Sequence, residues 1–154
     1  MNTPDLLAFF KGPVAAAIGT VGPSGKPTFL RVLGVTGTLD TRQLRAVFSR
    51  AIAGPTLDDL KGNPVAALTV ADITTMHSRQ FKGKVLAVQD ASDAEQAIAE
   101  QSIRTAMGPI AMFFGPTAAA GWERYYAAPF MTLMLEYSTR FNQTPGPDAG
   151  KELV

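Results

Sequence analysis

The fold turns on one stretch: Val14-Ala15-Ala16-Ala17-Ile18-Gly19-Thr20-Val21, then Gly22-Pro23-Ser24-Gly25-Lys26, then Pro27-Thr28-Phe29-Leu30-Arg31-Val32-Leu33-Gly34-Val35-Thr36-Gly37-Thr38. Two runs rich in apolar and β-branched residues flank five residues of turn composition. That order predicts two antiparallel strands joined by a tight connection at 22–26. The Gly-rich segment also invites a phosphate-loop reading and fails it. Gly19 and Gly25 stand one residue too far apart, and Pro27 follows Lys26 where a metal-binding Ser or Thr is required. No dinucleotide fingerprint of the G-x-G-x-x-G form occurs elsewhere in the chain.

Working outward, Thr3-Pro4-Asp5 combines a capping hydroxyl, Pro at the first helical position and an acid in the first turn, which predicts a short helix ending near Gly12-Pro13. Thr38-Leu39-Asp40-Thr41-Arg42 reads as a second turn. Residues 43–49 form a third strand in which Leu44, Ala46 and Phe48 alternate with Arg45 and Val47. A short helix over 55–61 stops at Gly62-Asn63-Pro64, and strands follow over 65–70 and 77–88. The clearest helix spans 92–107, with Ser92 as cap, Glu95 three residues later, and Gly108-Pro109 as its stop. The Gly- and Ala-rich segment 110–128 carries Phe113, Phe114, Trp122, Tyr125 and Tyr126 and shows no regular pattern. Residues 130–141 read as a strand and 143–154 as an extended Pro/Gly-rich tail. Strands thus follow one another through turns, which specifies a mainly β (α+β) domain with an antiparallel sheet. About six strands remove their edges most cheaply by closing into a small barrel.

Composition narrows the chemistry. The 154 residues contain no cysteine and one histidine, His77. Disulfides, thiolate nucleophiles, cysteine-held zinc or iron–sulfur clusters and two-histidine metal sites are therefore excluded, and redox chemistry here needs an organic cofactor. A net charge of +1 provides no overall basic field for nucleic acid and no polybasic membrane signal. Residues 1–89 nevertheless hold ten basic and five acidic side chains, against four and eight in 90–154, so the first part is suited to an anionic small ligand. No run approaches the roughly 20 apolar residues of a membrane span. The N-terminus lacks the pattern of a secretory signal, so the expected location is cytoplasmic and the Asn142-Gln143-Thr144 sequon is a chance match.

Between residues 15 and 88 several features recur in a set order: the hairpin with Gly-Pro-Ser-Gly-Lys-Pro at its tip, Arg31 on the returning strand, Phe48-Ser49-Arg50 closing the third strand, Asn63-Pro64-Val65-Ala66, and Ser78-Arg79-Gln80-Phe81-Lys82-Gly83-Lys84-Val85. This set resembles the FMN-binding split-barrel superfamily that includes pyridoxamine 5'-phosphate oxidase. The resemblance implies a six-stranded antiparallel split β-barrel with flanking helices, a single domain over 1–154, and a homodimer with the flavin site at its interface. It further implies a flavin-dependent oxidoreductase, with hydride passing through flavin N5 to or from a small-molecule substrate or electron donor. Carried over residue by residue, Arg31 contacts the FMN phosphate, where a guanidinium donates two parallel bonds. Ser49 of the Phe48-Ser49 pair donates to the same phosphate, Gln80 lies at the flavin ring, and backbone groups of Val32 and Leu33 face the isoalloxazine edge.

The chain departs from the oxidase subgroup at two places. Thr36 stands where that subgroup has a lysine, and Pro55-Thr56 where it has a basic Arg-Lys pair. Each missing charge-assisted bond removes about 1.5–3 kcal/mol. Arg50, Lys82 and Thr56 are the candidates for completing the phosphate site, and Trp122 with Tyr125 and Tyr126 for covering a flavin face or filling the core. His77 is a possible haem ligand or an ordinary surface histidine. Two other readings accompany the oxidoreductase: a non-catalytic flavin- or haem-binding carrier or sensor, and a deazaflavin-dependent reductase. No residue is marked as a general acid or base.

Overall fold

The computed structural model describes residues 3–38 and 40–153. The side chains of Thr3 and Pro4, read as a helix start, and Leu39 of the second turn lie outside the described residues. Seven strands form one antiparallel sheet: β1 (Val14–Val21), β2 (Pro27–Val32), β3 (Gly34–Thr38), β4 (Gln43–Ser49), β5 (Val65–Asp72), β6 (Ser78–Asp90) and β7 (Phe130–Asn142). Their order is β2-β1-β5-β6-β7-β4-β3. The expected count of six strands is corrected to seven, because the run 27–38 is broken at Leu33. By hydrogen bonding the sheet is open, since no ladder joins β2 to β3. Both ends of the sheet nonetheless meet at the break, where the Leu33 N–H donates to the Val47 carbonyl of β4 at 2.7 Å.

Period-2 burial shows which face is core. In β1, Val14, Ala16, Ile18 and Thr20 point inward while Ala15, Ala17 and Gly19 face out. Ile18, Leu30, Leu44, Phe48, Leu68, Phe81, Leu133 and Leu135 are almost wholly buried in one cluster. Each such side chain contributes about 1.5–3 kcal/mol of transfer free energy. Helix α1 (Thr3–Lys11) adds Leu6 and Phe10 to that cluster. The hairpin tip turns as its composition requires: Gly25 has φ 73° and donates to the Gly22 carbonyl. After a 3-10 turn over Arg50–Ile52, helix α2 (Gly54–Gly62) packs beside β1, with Asp59 accepting from the buried Thr20 hydroxyl at 2.8 Å.

Helix α3 spans Asp93–Phe114 and helix α4 Pro116–Glu123. The expected stop at Gly108-Pro109 is corrected. A proline inside a helix costs on the order of 3 kcal/mol, and here the cost is offset by burying Ala106 and Ile110 against Ala119 of α4. At the other end α3 lies on the sheet break. A Cβ on Gly34 would come within 3.0 Å of Ala99 backbone atoms, so only glycine permits that approach. The 143–154 segment is likewise not an extended exit. Thr144 accepts from the Ser78 N–H, Asn142 accepts from Arg79 at 2.7 Å, and the Leu153 N–H donates to the Arg140 carbonyl, folding the tail back along β7. Among the described residues no helix is long and apolar enough to cross a membrane.

One ion pair ties α3 to the sheet. Glu95 and Ser92 form a reciprocal capping box, and Arg45 of β4 donates to Glu95 at 2.7 Å. Burial alone would raise the Glu95 carboxyl, but the Ser92 N–H, Arg45 and the Ser92 hydroxyl together hold it below its ordinary value. Its contribution to stability is therefore complete above the unfolded-state pKa and disappears as pH falls through the lower folded-state pKa. Glu95→Gln should destabilise the chain by about 1–3 kcal/mol at neutral pH. Thermal melts of both forms should converge below about pH 4; melts that stay parallel would show that the pair contributes nothing.

Candidate functional site

The outward face of β2, β1, β5, β6 and β7 carries a row of residues in register: Arg31 opposite Ala17, Ala17 opposite Thr69, Thr69 opposite Gln80, and Gln80 opposite Phe141. Three strand spacings separate Arg31 from Gln80, roughly 14 Å. Between them the face is built of small side chains, so it forms a flat floor with a cation at one end and an amide at the other.

At the cationic end, the Arg31 guanidinium stacks on Trp122 of α4 with Cζ 3.9 Å from the ring centroid and lies 5.6 Å from the Tyr125 ring. It makes no ion pair or side-chain hydrogen bond with any described residue. Burial lowers its pKa, countered in part by Tyr125, yet an arginine stays charged at any physiological pH. The face of the guanidinium is thus occupied while its edge donors are unused. At the amide end, Gln80 Nε2 donates to Thr69 Oγ1 at 2.9 Å and Gln143 Nε2 donates to Gln80 Oε1 at 3.4 Å. Phe141 supports the Lys82 ammonium, 4.6 Å above its ring.

The remaining predicted residues divide between the junction and other surroundings. The Leu33–Val47 bond brings β2 and β4 together antiparallel, so Arg31 and Ser49, each two residues from it, lie on the same side of the break. Ser49 is buried, and its Oγ accepts from the Ala51 N–H at 3.3 Å, which leaves the hydroxyl proton free to donate. Thr56 of α2 is also buried, with no hydrogen-bond partner for its Oγ1. Arg50 is exposed and stands 4.0 Å from Asp90. Val32 and Phe48 point into the core, and the Leu33 side chain packs under α3 with Val47, Ala99 and Ile103. Thr36 faces a groove between α1 and α3, away from the row. The His77 ring sits edge-on to Phe9 with centroids 5.8 Å apart, and its Nε2 is buried without a partner. Burial first, then Arg79, lower its pKa against the pull of Asp72.

Two contributors escaped the sequence reading. Thr69 and Gln143 hold Gln80, and the outward alternation of β5 is the signal that marks Thr69. Gln143 carried no such signal, because the backward fold of the tail depends on Arg79 and Ser78. Beside the row, the outward floor continues to Ala15 and Ala71, where a hollow of about 430 Å³ opens against Trp122. No three His, Asp or Glu side chains among the described residues gather as a metal site.

Neither a protein-family model nor a curated protein sequence matches the chain. Solved structures do. A putative pyridoxamine 5'-phosphate oxidase from Lactobacillus delbrueckii is 16% identical with a TM-score of 0.53, covering 91% of this chain and 93% of its own. An F420 reductase is 16% identical with a TM-score of 0.53, covering 86% and 93%. HutZ, a haem storage protein from Vibrio cholerae, is 14% identical with a TM-score of 0.51, covering 91% and 93%. The chain therefore shares the overall fold of these proteins.

Trp122 is the only tryptophan, so its emission reports directly on the Arg31 end of the row. Titration with inorganic phosphate should perturb Trp122 emission in the native chain and leave it unchanged in Arg31→Met. Equal responses in the two proteins would place phosphate elsewhere.

Proposed function

We propose that the chain binds FMN on the outward face between Arg31 and Gln80 and acts as a flavin-dependent oxidoreductase, a single domain working as a homodimer. The observation that carries this reading is the Arg31 guanidinium, part-buried on Trp122 with its edge donors unclaimed. A part-buried cation with no carboxylate partner leaves its donors to an anion of the ligand. The donor set fits a phosphate: Arg31 for two-point binding, the free proton of the Ser49 hydroxyl, and the orphaned Thr56 hydroxyl near the start of α2. Bound there, the flavin would supply hydride transfer at N5. Arg31 anchors and orients, Trp122 shields the anchor from water, and Gln80, fixed by Thr69 and Gln143, presents an amide that can donate or accept at a ring edge. Thr36 lies away from this face, so the phosphate rests on fewer charges than in the oxidase subgroup.

The surroundings of His77 support flavin over haem, since the only imidazole has its Nε2 buried beside Phe9. Phe29, two residues before Arg31 on the same face, is 77% exposed, and a second copy covering it would close the flavin site. The reading places the protein in the cytoplasm.

FMN titration followed by the visible spectrum tests the reading. The native chain should take up FMN, and Arg31→Met should weaken binding by one to two decades, about 1.5–3 kcal/mol. A chain that takes up no FMN overturns it. Bleaching of the bound flavin by reduced nicotinamide separates an oxidoreductase from a carrier. Phe29→Arg should convert the dimer to monomer in light scattering and lower FMN affinity with it; an unchanged mass would remove the dimer from the proposal.

A further inference from the structure

We propose that the hollow beside the Arg31–Gln80 row binds a neutral, apolar small molecule and rejects phosphorylated or carboxylated ones. Its standing as the substrate pocket rests on the flavin reading above, but its selectivity follows from its own lining. The floor, Ala15 and Ala71, continues the outward positions of β1 and β5 by one step beyond Ala17 and Thr69, so the hollow opens directly onto the row. Its volume of about 430 Å³ falls within the roughly 300–1,000 Å³ of small-molecule sites. Ile73, Ile110, Ala118 and Trp122 form the walls. No Lys, Arg or His lines it. The one charged residue is Asp72, whose Oδ1 already accepts from the Thr74 N–H, the Thr74 hydroxyl and the Thr75 N–H at 2.6–2.9 Å. An anion entering the hollow would lose its water, find no donor and meet that carboxylate.

The lip supplies an independent observation. Met76 ends the turn begun by Asp72 and has φ 61°, a left-handed conformation that Gly or Asn adopts readily and a methionine does not. The turn is held by the Met76 N–H to the Asp72 carbonyl and by the Asp72 carboxylate, neither of which uses the Met76 side chain. The strained position therefore gains nothing from methionine except the side chain, 55% exposed and lining the hollow together with Phe114, itself 68% exposed. An exposed, flexible thioether in a strained setting on a cavity wall is an adaptable apolar contact for a ligand.

The test uses the full chain without added flavin and N-phenyl-1-naphthylamine, a neutral dye that brightens in apolar surroundings. The native chain should take up the dye and sensitise it from Trp122; 1-naphthol should displace it and 1-naphthyl phosphate should not. Met76→Asn should keep or raise the melting temperature while weakening the dye about tenfold, and Ala118→Phe should abolish uptake by filling the hollow. Both variants should bind FMN as the native chain does. Arg31→Met should weaken FMN by one to two decades and keep the dye, so failure of the flavin reading and failure of this one are told apart. No dye uptake by the native chain, equal displacement by 1-naphthol and its phosphate, or unaltered uptake in both hollow variants overturns the proposal.

Discussion

The junction at Leu33 is the constraint on which the rest of the structure depends. A single extended run over 27–38 would have stayed on one edge of the sheet. Instead, the Leu33 N–H bonds to the Val47 carbonyl, β2 pairs with β1, β3 pairs with β4, and the two ends of the sheet are drawn to one place. Helix α3 then rests on Gly34 with no room for a side chain between them. The same junction brings Arg31 of β2 and Ser49 of β4 to one side of the break. Architecture and candidate phosphate end are thus consequences of the same interrupted strand.

The helices serve the site by returning across the sheet. Helix α3 is held at its start by the Ser92–Glu95–Arg45 arrangement and runs through Pro109 to meet α4. Only because it does so does Trp122 arrive beneath the Arg31 guanidinium and against the Ala15–Ala71 floor. One indole therefore touches both a cationic anchor and an apolar hollow. That arrangement sets a cation and an uncharged apolar surface against a single ring.

Much of this was legible before the structure. The hairpin, the alternation of β4 and the Ser92 cap rest on local chemistry, and strands β1 and β4 fall at their expected residues, whereas Arg31, Ser49 and Gln80 are singled out by the resemblance alone. Pro109 and the tail were misread for a common reason. A proline inside a helix and a Pro/Gly-rich segment are unfavourable or irregular by local rules, and both were overruled by distant contacts: Ala106 and Ile110 with Ala119, and Asn142 and Thr144 with Arg79. The segment 110–128 showed no pattern because its apolar residues serve two surfaces, α3 against α4 and both against the sheet. Phe48, read with Ser49 as a site pair, is a core residue by its side chain, while Ser49 faces the other way, as alternation along a strand requires.

The sequence by itself determined the class of fold, the hairpin and the bounds of β1 and β4, because composition, turn chemistry and strand period are properties of neighbouring residues. Only the tertiary structure decided that Arg31 lies on Trp122, that Thr69 and Gln143 hold Gln80, and that an uncharged hollow adjoins them. Those contacts join residues far apart in the chain, and their energies depend on a register and a helix path that no local pattern specifies.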